Sequence, residues 1–257
     1  MNIEKANLSY LGQTVTVTVD RPLGSKHPDC PDMIYPINYG YVEGITAPDN
    51  EPQDAYILGV DKPVDSFTGR VAAIIVREND VEDKWVVVPE ELYGGEICWE
   101  CNIRNAVNFQ EQYFKSKIYP KFEKTCGAVL FTEKDGERHY LLVCGKSGHI
   151  GFPKGHTEYG ETERENALRE IFEETGIKTQ LMDGFREEYT FTTLENTIKT
   201  GAFFLAHYDY RQIKRQEEEI TEDWLLPYEK ALHQLNWKED KAVLEAAENY
   251  LNAIDRA

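Results

Sequence analysis

Gly155–Ile177 reads GHTEYGETERENALREIFEETGI, a short loop followed by a helix with signals at both ends. Thr162 and Glu165 have the spacing of a capping box, and Gly176 stands where a helix stops in the left-handed conformation. The pattern therefore predicts a capped helix over 162–175. At about 100° per residue, four side chains share the face expected to pack on a sheet: Leu168, Ile171, Phe172 and Thr175.

Three glutamates, Glu170, Glu173 and Glu174, fall on the opposite face of this predicted helix. Like charges at this spacing weaken a helix by roughly 0.2–0.5 kcal/mol per pair. A hard divalent cation reverses that effect, because Mg²⁺ and similar ions such as Mn²⁺ prefer oxygen ligands. The stretch therefore predicts a metal-binding helix rather than a solvated acidic one.

Composition narrows the functional class of the chain. Its 257 residues, 41% of them hydrophobic, are enough for one large or two ordinary domains. No apolar run approaches the ~18 residues of a membrane span, and the first residues lack the layout of a signal peptide. A net charge of −18 disfavours non-specific binding to nucleic acid. We therefore expect a cytoplasmic protein without membrane or nucleic-acid partners, one that can take small polyphosphates through a divalent cation.

The five cysteines form an odd set in a chain expected to be reduced. Cys98 and Cys101 make one C-x-x-C, and His27 with Cys30 could in principle complete four zinc ligands. A second half with zinc-finger spacing is missing. Unrelated thiols near a turn are therefore the expectation.

The first half of the chain reads as a series of short strands. Residues 13–20 alternate as TVTVTV, which is typical of a half-buried strand. Further strands are predicted at 55–60, 71–76 and 85–88, separated by acidic turns. Such spacing favours a small barrel-like domain, which a helix over 102–117 is expected to close.

The second half predicts a mixed domain that begins after a boundary at Tyr119-Pro120. The whole chain is therefore expected to be α+β, with domains at 1–119 and 120–257 packed closely. Strands are expected near 125–131, 139–144, 187–192 and 200–207, a loop at 211–219, a short helix within 224–235, and an amphipathic helix over 238–254.

The opening stretch resembles the Nudix box, Gly-x5-Glu-x7-Arg-Glu-U-x-Glu-Glu-x-Gly-U with U apolar. Every fixed position is filled, and a chance match at a given start is on the order of 10⁻⁹. The positions are filled by Gly155, Glu161, Arg169, Glu170, Ile171, Glu173, Glu174, Gly176 and Ile177. The resemblance implies an α/β/α sandwich of the Nudix (MutT-type) hydrolases, which cleave phosphoanhydrides with a divalent metal.

Within this superfamily, the segment from about 122 to 255 is similar to the asymmetric bis(5′-nucleosyl)-tetraphosphatases. The similarity rests on SGHIGFPKGH at 147–156, FREE at 185–188 and EEEITEDWLLPYEKAL at 217–232. It implies Mg²⁺, with Mn²⁺ as a substitute, held by Glu170, Glu173, Glu174 and the carbonyl of Gly155.

The resemblance also implies roles for residues around the metal. Arg169 is expected to pair with a metal-side glutamate and hold its rotamer, and Lys154 to contact a phosphate. The general base is either Glu218, six residues before Trp224, or Glu174. Phe191 is expected to stack on adenine. For His149 and His156, phosphate contact and an ordinary loop position remain equal alternatives.

From about 14 to 113 the chain resembles a shortened soluble inorganic pyrophosphatase, whose fold is a five-stranded barrel. The matching segments are VDRPLGS at 19–25, YPINYGY at 35–41, DNEPQD at 49–54 and DVEDK at 80–84. The resemblance implies five metal-ligating acids, Asp49, Glu51, Asp54, Asp80 and Asp83, with Glu82 as an alternative for the second turn. It implies three phosphate contacts: Arg21, Tyr39 and Tyr113.

Three departures separate this half from the pyrophosphatases. Glu51 replaces an aspartate, the second acidic turn is short, and the early lysine segment is absent, with Phe114 at the place of a late lysine. The barrel is therefore either a site that binds or hydrolyses pyrophosphate, or an inactive scaffold, ligand sensor or oligomerisation surface of a homo-oligomer.

The leading hypothesis is Mg²⁺-dependent hydrolysis of a dinucleoside tetraphosphate to NTP and NMP. That reaction makes no pyrophosphate for the fused barrel, so an NTP pyrophosphohydrolase is the enzymatic alternative. A regulatory protein that senses nucleotides without turnover is a second class. An RNA-end pyrophosphohydrolase is a third, which the net charge disfavours.

Overall fold

The computed structural model describes residues 8–28, 30, 32–47, 49–193, 196–210 and 219–256 of the chain. The chain divides into two compact units, each with hydrophobic clusters of its own. The first unit runs up to Glu123 and takes in Thr192–Ile198, and the second holds Lys124–Phe191 and the chain from Lys199 onward. Within the described ranges, no helix has the length and apolarity needed to cross a membrane.

Five strands of the first unit close into a barrel. They are β1 (Thr14–Arg21), β2 (Asn38–Thr46), β3 (Pro52–Ile57), β4 (Ser66–Arg77) and β5 (Asp83–Val88). Their order is β1-β2-β3-β5-β4, and pairing of β4 with β1 completes the circle. The β3–β5 pair is parallel and the others are antiparallel. The barrel expected from the strand spacing is confirmed.

The alternating residues of β1 explain how this strand enters the barrel. Val15 and Val17 are buried while Thr14 and Thr16 are exposed, as the period of two requires. β5 is buried along its whole length, so its continuous apolar run lies inside rather than at a surface.

Helix α1 (Glu100–Glu111) covers the barrel with Ile103 and Val107, both fully buried. The helix predicted over 102–117 is therefore too long, because Ser116–Pro120 forms strand β6, which pairs with β4. That pairing joins residues some forty positions apart, and local periodicity does not report it.

The second unit is built on a seven-stranded sheet. Its strands are β7 (Phe122–Lys134), β8 (Glu137–Gly145), β9 (Ile150–Gly151), β10 (Lys154–His156), β11 (Glu187–Thr192), β12 (Ile198–His207) and β13 (Ile220–Pro227). The main path is β11-β12-β7-β8-β13, with β10 on β7 and β9 on β8. Asp135 and Gly136 at the β7–β8 turn both have positive φ, 55° and 79°, which suits a tight hairpin.

Helices lie on both faces of this sheet. Ala128 and Leu130 of β7 pack with helix α2 (Glu163–Thr175), while their neighbours Val129 and Phe131 belong to the opposite cluster. That second cluster includes α3 (Tyr228–Gln234) and α4 (Lys238–Ile254). The unit is therefore an α/β/α sandwich, as expected.

The short helix expected within 224–235 is present as α3, which begins at Tyr228 after Pro227. Trp224, at the start of that stretch, lies in β13 opposite Leu142 of β8. Hydrogen bonding to β8 across more than eighty residues decides the conformation of this segment. The loop predicted at 211–219 lies, apart from Glu219, outside the described residues.

Candidate functional site

Helix α2 begins and ends at the residues that the sequence predicts. The Thr162 hydroxyl accepts the Glu165 backbone N–H at 3.3 Å, and the Glu165 carboxylate accepts the Thr162 backbone N–H at 2.9 Å. These two bonds form the capping box. Gly176 has φ 71° in the left-handed region and donates its N–H to the Phe172 carbonyl. Both helix termini are thus satisfied locally.

The buried face of α2 is rotated from the predicted one. Ile171 and Thr175 are buried as expected, but Phe172 is 48% exposed and Glu170 only 7%. The predicted apolar face is therefore wrong at Phe172, while Glu170 of the predicted acidic face is buried. Glu170 is buried because strand β10 lies directly against it.

Gly155 makes that close approach possible. β10 pairs with β7 so that Gly155 lies opposite Cys126. A Cβ built on Gly155 would stand 2.1 Å from the Cδ of Glu170, far inside any real contact. The backbone of β10 therefore reaches the Glu170 carboxylate only because residue 155 has no side chain.

Arg169 connects the carboxylates of the box. Its Nε donates to Glu161 Oε1 at 2.7 Å, and its Nη1 donates to Glu170 Oε1 at 2.7 Å and Glu173 Oε2 at 2.9 Å. Its Nη2 donates to the His156 carbonyl at 2.9 Å. One planar guanidinium thus holds three acids and the end of β10 in a fixed arrangement.

The Glu174 carboxylate accepts a hydrogen bond from the backbone N–H of Lys154 at 3.2 Å. Burial raises the pKa of Glu174 to about 8, and the charges of Glu170 and Glu219 act in the same direction. Burial likewise raises the pKa of Glu170, against the opposing effect of Arg169. Glu170, Glu174 and Glu219 therefore lie close together where burial limits their solvation, and their charged forms repel one another.

Glu219 is a site residue that the sequence reasoning did not single out. It acts on the pKa of both Glu170 and Glu174, and its carbonyl accepts the Lys146 N–H at 3.2 Å. The candidate base Glu218 lies outside the described residues. Only the pairing of β13 with β8 brings Glu219 here, so no local signal could have separated it from its two acidic neighbours.

The residues of this site suit a divalent cation. The donors are oxygen atoms alone, and the mutual repulsion of Glu170, Glu174 and Glu219 is what a cation would relieve. Arg169 presently takes one oxygen each of Glu170 and Glu173. Across the described part of the chain, no three His, Cys, Asp or Glu side chains are already gathered as a ligand set. The candidate zinc residues Cys98 and Cys101 are among the described residues that form no such set.

Aromatic rings gather near the loop that leads to Lys154. Phe191 of β11 is half-buried, and its ring lies 5.4 Å from Trp237 at 79°. His149 meets the same Trp237 ring at 4.8 Å and 75°. Trp237, 40% exposed, was not predicted as a site residue, although it stands as a lone tryptophan before the last helix.

The barrel has a separate acidic cavity of about 390 Å³. Lys84 is 1% exposed and contacts the carboxylates of Asp54 and Glu82. Tyr39 donates its hydroxyl to Asp54 at 2.6 Å. The cavity is lined by Tyr41, Ala47, Asp49, Glu51, Pro52, Asp54, Glu82, Asp83 and Lys84. Of the predicted acids, the structure therefore brings together Asp49, Glu51, Asp54 and Asp83, with Glu82 beside them.

Three other predicted barrel residues, Asp80, Arg21 and Tyr113, do not line this cavity. Asp80 pairs with the buried Arg77 at 3.2 Å, and Arg77 also pairs with Glu111 at 2.6 Å. Arg21 pairs with Asp20 at 2.9 Å. Tyr113 is 67% exposed. Their predicted roles toward metal or phosphate stay predictions.

The sequence profile of the NUDIX domain matches residues 121–247 of the chain. The bis(5′-nucleosyl)-tetraphosphatase [asymmetrical] of Mus musculus is 32% identical over 141 residues, which span 50% of this chain and 95% of the mouse protein. The corresponding protein of Sus scrofa is 30% identical and 95% covered. Nudix hydrolase 6 of Arabidopsis thaliana is 38% identical over 48% of this chain and 45% of its own length.

A solved structure is also similar to the second half of the chain. The binary complex of a C. elegans Ap4A hydrolase superposes with a TM-score of 0.48 at 22% identity. The superposition covers 51% of this chain and 98% of the nematode protein.

Proposed function

Since the chain belongs to the Nudix family of phosphoanhydride hydrolases, we propose that it cleaves a dinucleoside tetraphosphate asymmetrically, to NTP and NMP. The substrate rests on the mouse relative, whose name gives that activity and whose length is 95% covered. The observation that carries the chemistry is the arrangement around Arg169, which gathers Glu161, Glu170 and Glu173 beside β10.

Glu170, Glu173, Glu174 and the carbonyl of Gly155 are the proposed ligands of Mg²⁺ or Mn²⁺. When bound, the cation neutralises the polyphosphate and lowers the pKa of an attacking water. Arg169 keeps the glutamates in place, because its five hydrogen bonds restrict both its own rotamer and theirs. Lys154, on the strand that carries Gly155, presents its ammonium to a phosphate.

The proton of the attacking water needs an acceptor. Glu174 is a candidate from the sequence, and its carboxylate lies at the proposed metal site, where it accepts the Lys154 N–H at 3.2 Å. Glu218 remains a candidate from the sequence, and Glu219 joins them by its proximity to Glu170 and Glu174. Replacing each by glutamine at saturating Mg²⁺ identifies the base, whose variant loses kcat by orders of magnitude.

The nucleobase is proposed to stack on the aromatic rings of Phe191 and Trp237. Their T-shaped contact leaves Trp237 partly open to solvent. Stacking on an aromatic side chain contributes about 1–3 kcal/mol per base. These rings lie in the same unit as Lys154 and Glu174.

The products of hydrolysis test this proposal. Diadenosine tetraphosphate is incubated with the protein and Mg²⁺ in ¹⁸O-labelled water. The expected products are ATP and AMP, which phosphorus NMR and mass spectrometry identify. Two molecules of ADP as products would contradict asymmetric cleavage. Pyrophosphate release from NTP, with no attack on the tetraphosphate, would replace the proposal by its alternative.

That alternative, an NTP pyrophosphohydrolase whose pyrophosphate is handled by the barrel, is favoured by the barrel cavity. Four predicted acids line the cavity, and the buried Lys84 contributes a positively charged ammonium group to it. Such a set suits pyrophosphate bound through divalent cations. An oligomerisation role for the barrel remains the competing proposal.

Phosphate release from pyrophosphate tests the barrel. In this proposal the wild type releases orthophosphate or binds pyrophosphate in calorimetry, and Asp54→Asn or Lys84→Met abolishes it while nucleotide hydrolysis continues. The matched control is Glu173→Gln, which should show the reverse pattern. Failure of the wild type to bind or hydrolyse pyrophosphate with Mg²⁺ would refute a pyrophosphate site.

A further inference from the structure

The fully buried Asp240 and the partly buried His149 form a polar pair that the proposed chemistry does not use. Asp240, in the first turn of α4, is 0% exposed. Its Oδ1 accepts the hydroxyl of Tyr189 at 3.1 Å, and its Oδ2 lies 3.1 Å from His149 Nε2. Three separate elements thus converge on one carboxylate: the loop after β8, strand β11 and helix α4.

A carboxylate in this place is not explained by helix capping alone. An acid in the first turn of a helix is favourable at a solvated surface, whereas full burial penalises the charged group unless it is paired. Gly151 keeps the loop close to the pair, because a Cβ there would stand 2.8 Å from His149 Nε2 and 3.2 Å from Asp240 Oδ2. The contact between His149 and Asp240 therefore depends on the absence of a side chain at residue 151.

The pair retains hydrogen-bonding capacity. Among the described residues, neither Asp240 Oδ2 nor His149 Nδ1 has a hydrogen-bond partner, although both atoms are buried. The 3.1 Å contact between Oδ2 and Nε2 is thus an electrostatic one, in which the N–H is not aligned for a hydrogen bond. Because Nε2 is the ring nitrogen within hydrogen-bonding distance of Oδ2, the carboxylate favours the tautomer of His149 that carries its proton on Nε2.

The imidazole of His149 is in contact with the indole of Trp237. Its ring meets the indole edge-on, with centroids 4.8 Å apart. On another side Phe191 meets the indole at 5.4 Å. Trp237 is the only one of the three rings more than a third exposed among the described residues, so its open face is the surface offered to a ligand. The plane of that face depends on where His149 stands.

We propose that Asp240 is a positioning residue for nucleobase recognition. It fixes the imidazole of His149, and the fixed imidazole sets the plane of Trp237 on which the base stacks. The inference rests on the proposed hydrolysis of a nucleotide polyphosphate and adds a determinant of nucleobase affinity that acts without touching the substrate.

A KM-against-kcat comparison is the first test. Asp240→Asn keeps an oxygen for Tyr189 but presents an amide in place of a carboxylate oxygen to His149. With diadenosine tetraphosphate, KM should rise about tenfold, equivalent to ~1.4 kcal/mol, with kcat within about twofold. Glu239→Gln is the matched control, because it removes the same charge from the same helical turn, and its KM should stay within twofold.

A double-mutant cycle separates positioning from general destabilisation. His149→Phe keeps an aromatic ring against Trp237 and removes both nitrogens. If Asp240 acts through His149, Asp240→Asn adds nothing to KM in the His149→Phe background. Multiplying effects of the two substitutions would overturn the proposal.

The wild-type protein supplies a measurement that needs no variant to fold. The ¹⁵N shifts of the His149 ring should report the tautomer protonated at Nε2, the atom that faces Asp240. Protonation at Nδ1 alone would overturn the proposal.

Fluorescence quenching by AMP and by ADP measures nucleobase binding without turnover. The Trp237→Phe variant identifies the part of the quenching that comes from Trp237. If the wild type shows this quenching but does not hydrolyse the tetraphosphate, and Asp240→Asn weakens the quenching, only the proposed function is refuted.

Discussion

Gly155 leaves no room for a side chain between β10 and the carboxylate of Glu170. A methyl group at this position would meet Glu170 Cδ at 2.1 Å. At the scale of single residues, the site therefore depends as much on a missing side chain as on its acids.

Gly155→Ala should reduce kcat by about a hundredfold, since a displacement of about 1 Å at a catalytic group has that effect. Steady-state kinetics on the folded variant measures it. Gly145→Ala is the control, because a Cβ at Gly145 meets nothing closer than Ser147 Oγ at 4.0 Å. Equal activity of both variants would contradict the steric argument.

Arg169 is the second residue whose chemistry is specific. A lysine ammonium cannot reproduce planar contacts to Glu161, Glu170 and Glu173 together. Arg169→Lys should therefore lower kcat/KM by about 10–100-fold, the usual loss for groups that orient metal ligands.

The matched control for that substitution lies one turn and a half earlier on the same helix. Arg164 donates to the Leu181 carbonyl at 3.0 Å and takes no part in the box. Arg164→Lys should retain activity within about threefold. Full activity in Arg169→Lys would assign Arg169 to ordinary surface ion pairing.

At the scale of elements, an ionic network fixes the start of α2 to the sheet. Arg186 donates to Glu163 at 2.7 Å, and the buried Lys124 lies 2.8 Å from both Glu163 and Glu188. The hydrogen bond from Arg186 lowers the pKa of Glu163 to about 2, with Lys124 acting in the same direction. The FREE motif thus has a structural task in holding the helix.

This network predicts a dependence of stability on pH. The folded-state pKa of Glu163 is below the ordinary value of about 4.3, so its contribution is complete above that pH and is lost as the pH falls toward 2. Glu163→Gln should lower the free energy of unfolding at pH 6 by about 1 kcal/mol after solvent screening. The difference should shrink in urea titrations at pH 3.

Glu187→Gln serves as the control, because Glu187 is an exposed residue of β11 beside Glu188. Its free energy of unfolding should match that of the wild type at both pH values. A pH-independent loss in Glu163→Gln would show that the side chain stabilises by packing rather than by charge.

Elements with strong local signals were predicted well. The ends of α2 and of α4 agree with the sequence interpretation because caps and amphipathic periodicity act within one segment. The end of α1 was assigned wrongly, since β6 forms through pairing with the distant strand β4. Phe172 was misplaced because the position of β10, not helical periodicity, decides which face of α2 is buried.

At the scale of the whole molecule, metal removal is the decisive perturbation. Glu170 and Glu174 repel each other where burial limits their solvation, and without a cation their charges also repel a polyphosphate. Excess EDTA should abolish nucleotide hydrolysis without unfolding the protein, and Mg²⁺ or Mn²⁺ should restore it.

Thermal unfolding gives an independent readout of the same prediction. Because a ligand that binds the folded state stabilises it, Mg²⁺ should raise Tm in the wild type and much less in Glu174→Gln. Undiminished turnover in EDTA would exclude the proposed ligands.

Two kinds of information thus separate in this chain. The spacing of Arg169, Glu170, Glu173 and Glu174 by itself determined a capped acidic helix and its family, because one helix brings residues four apart together whatever surrounds it. Tertiary structure alone decided that Glu170 is buried under Gly155, that Glu219 joins it, and that Asp240 meets His149. Such contacts depend on strand register and on which faces pack, which are set by the free energy of the whole fold rather than by local periodicity.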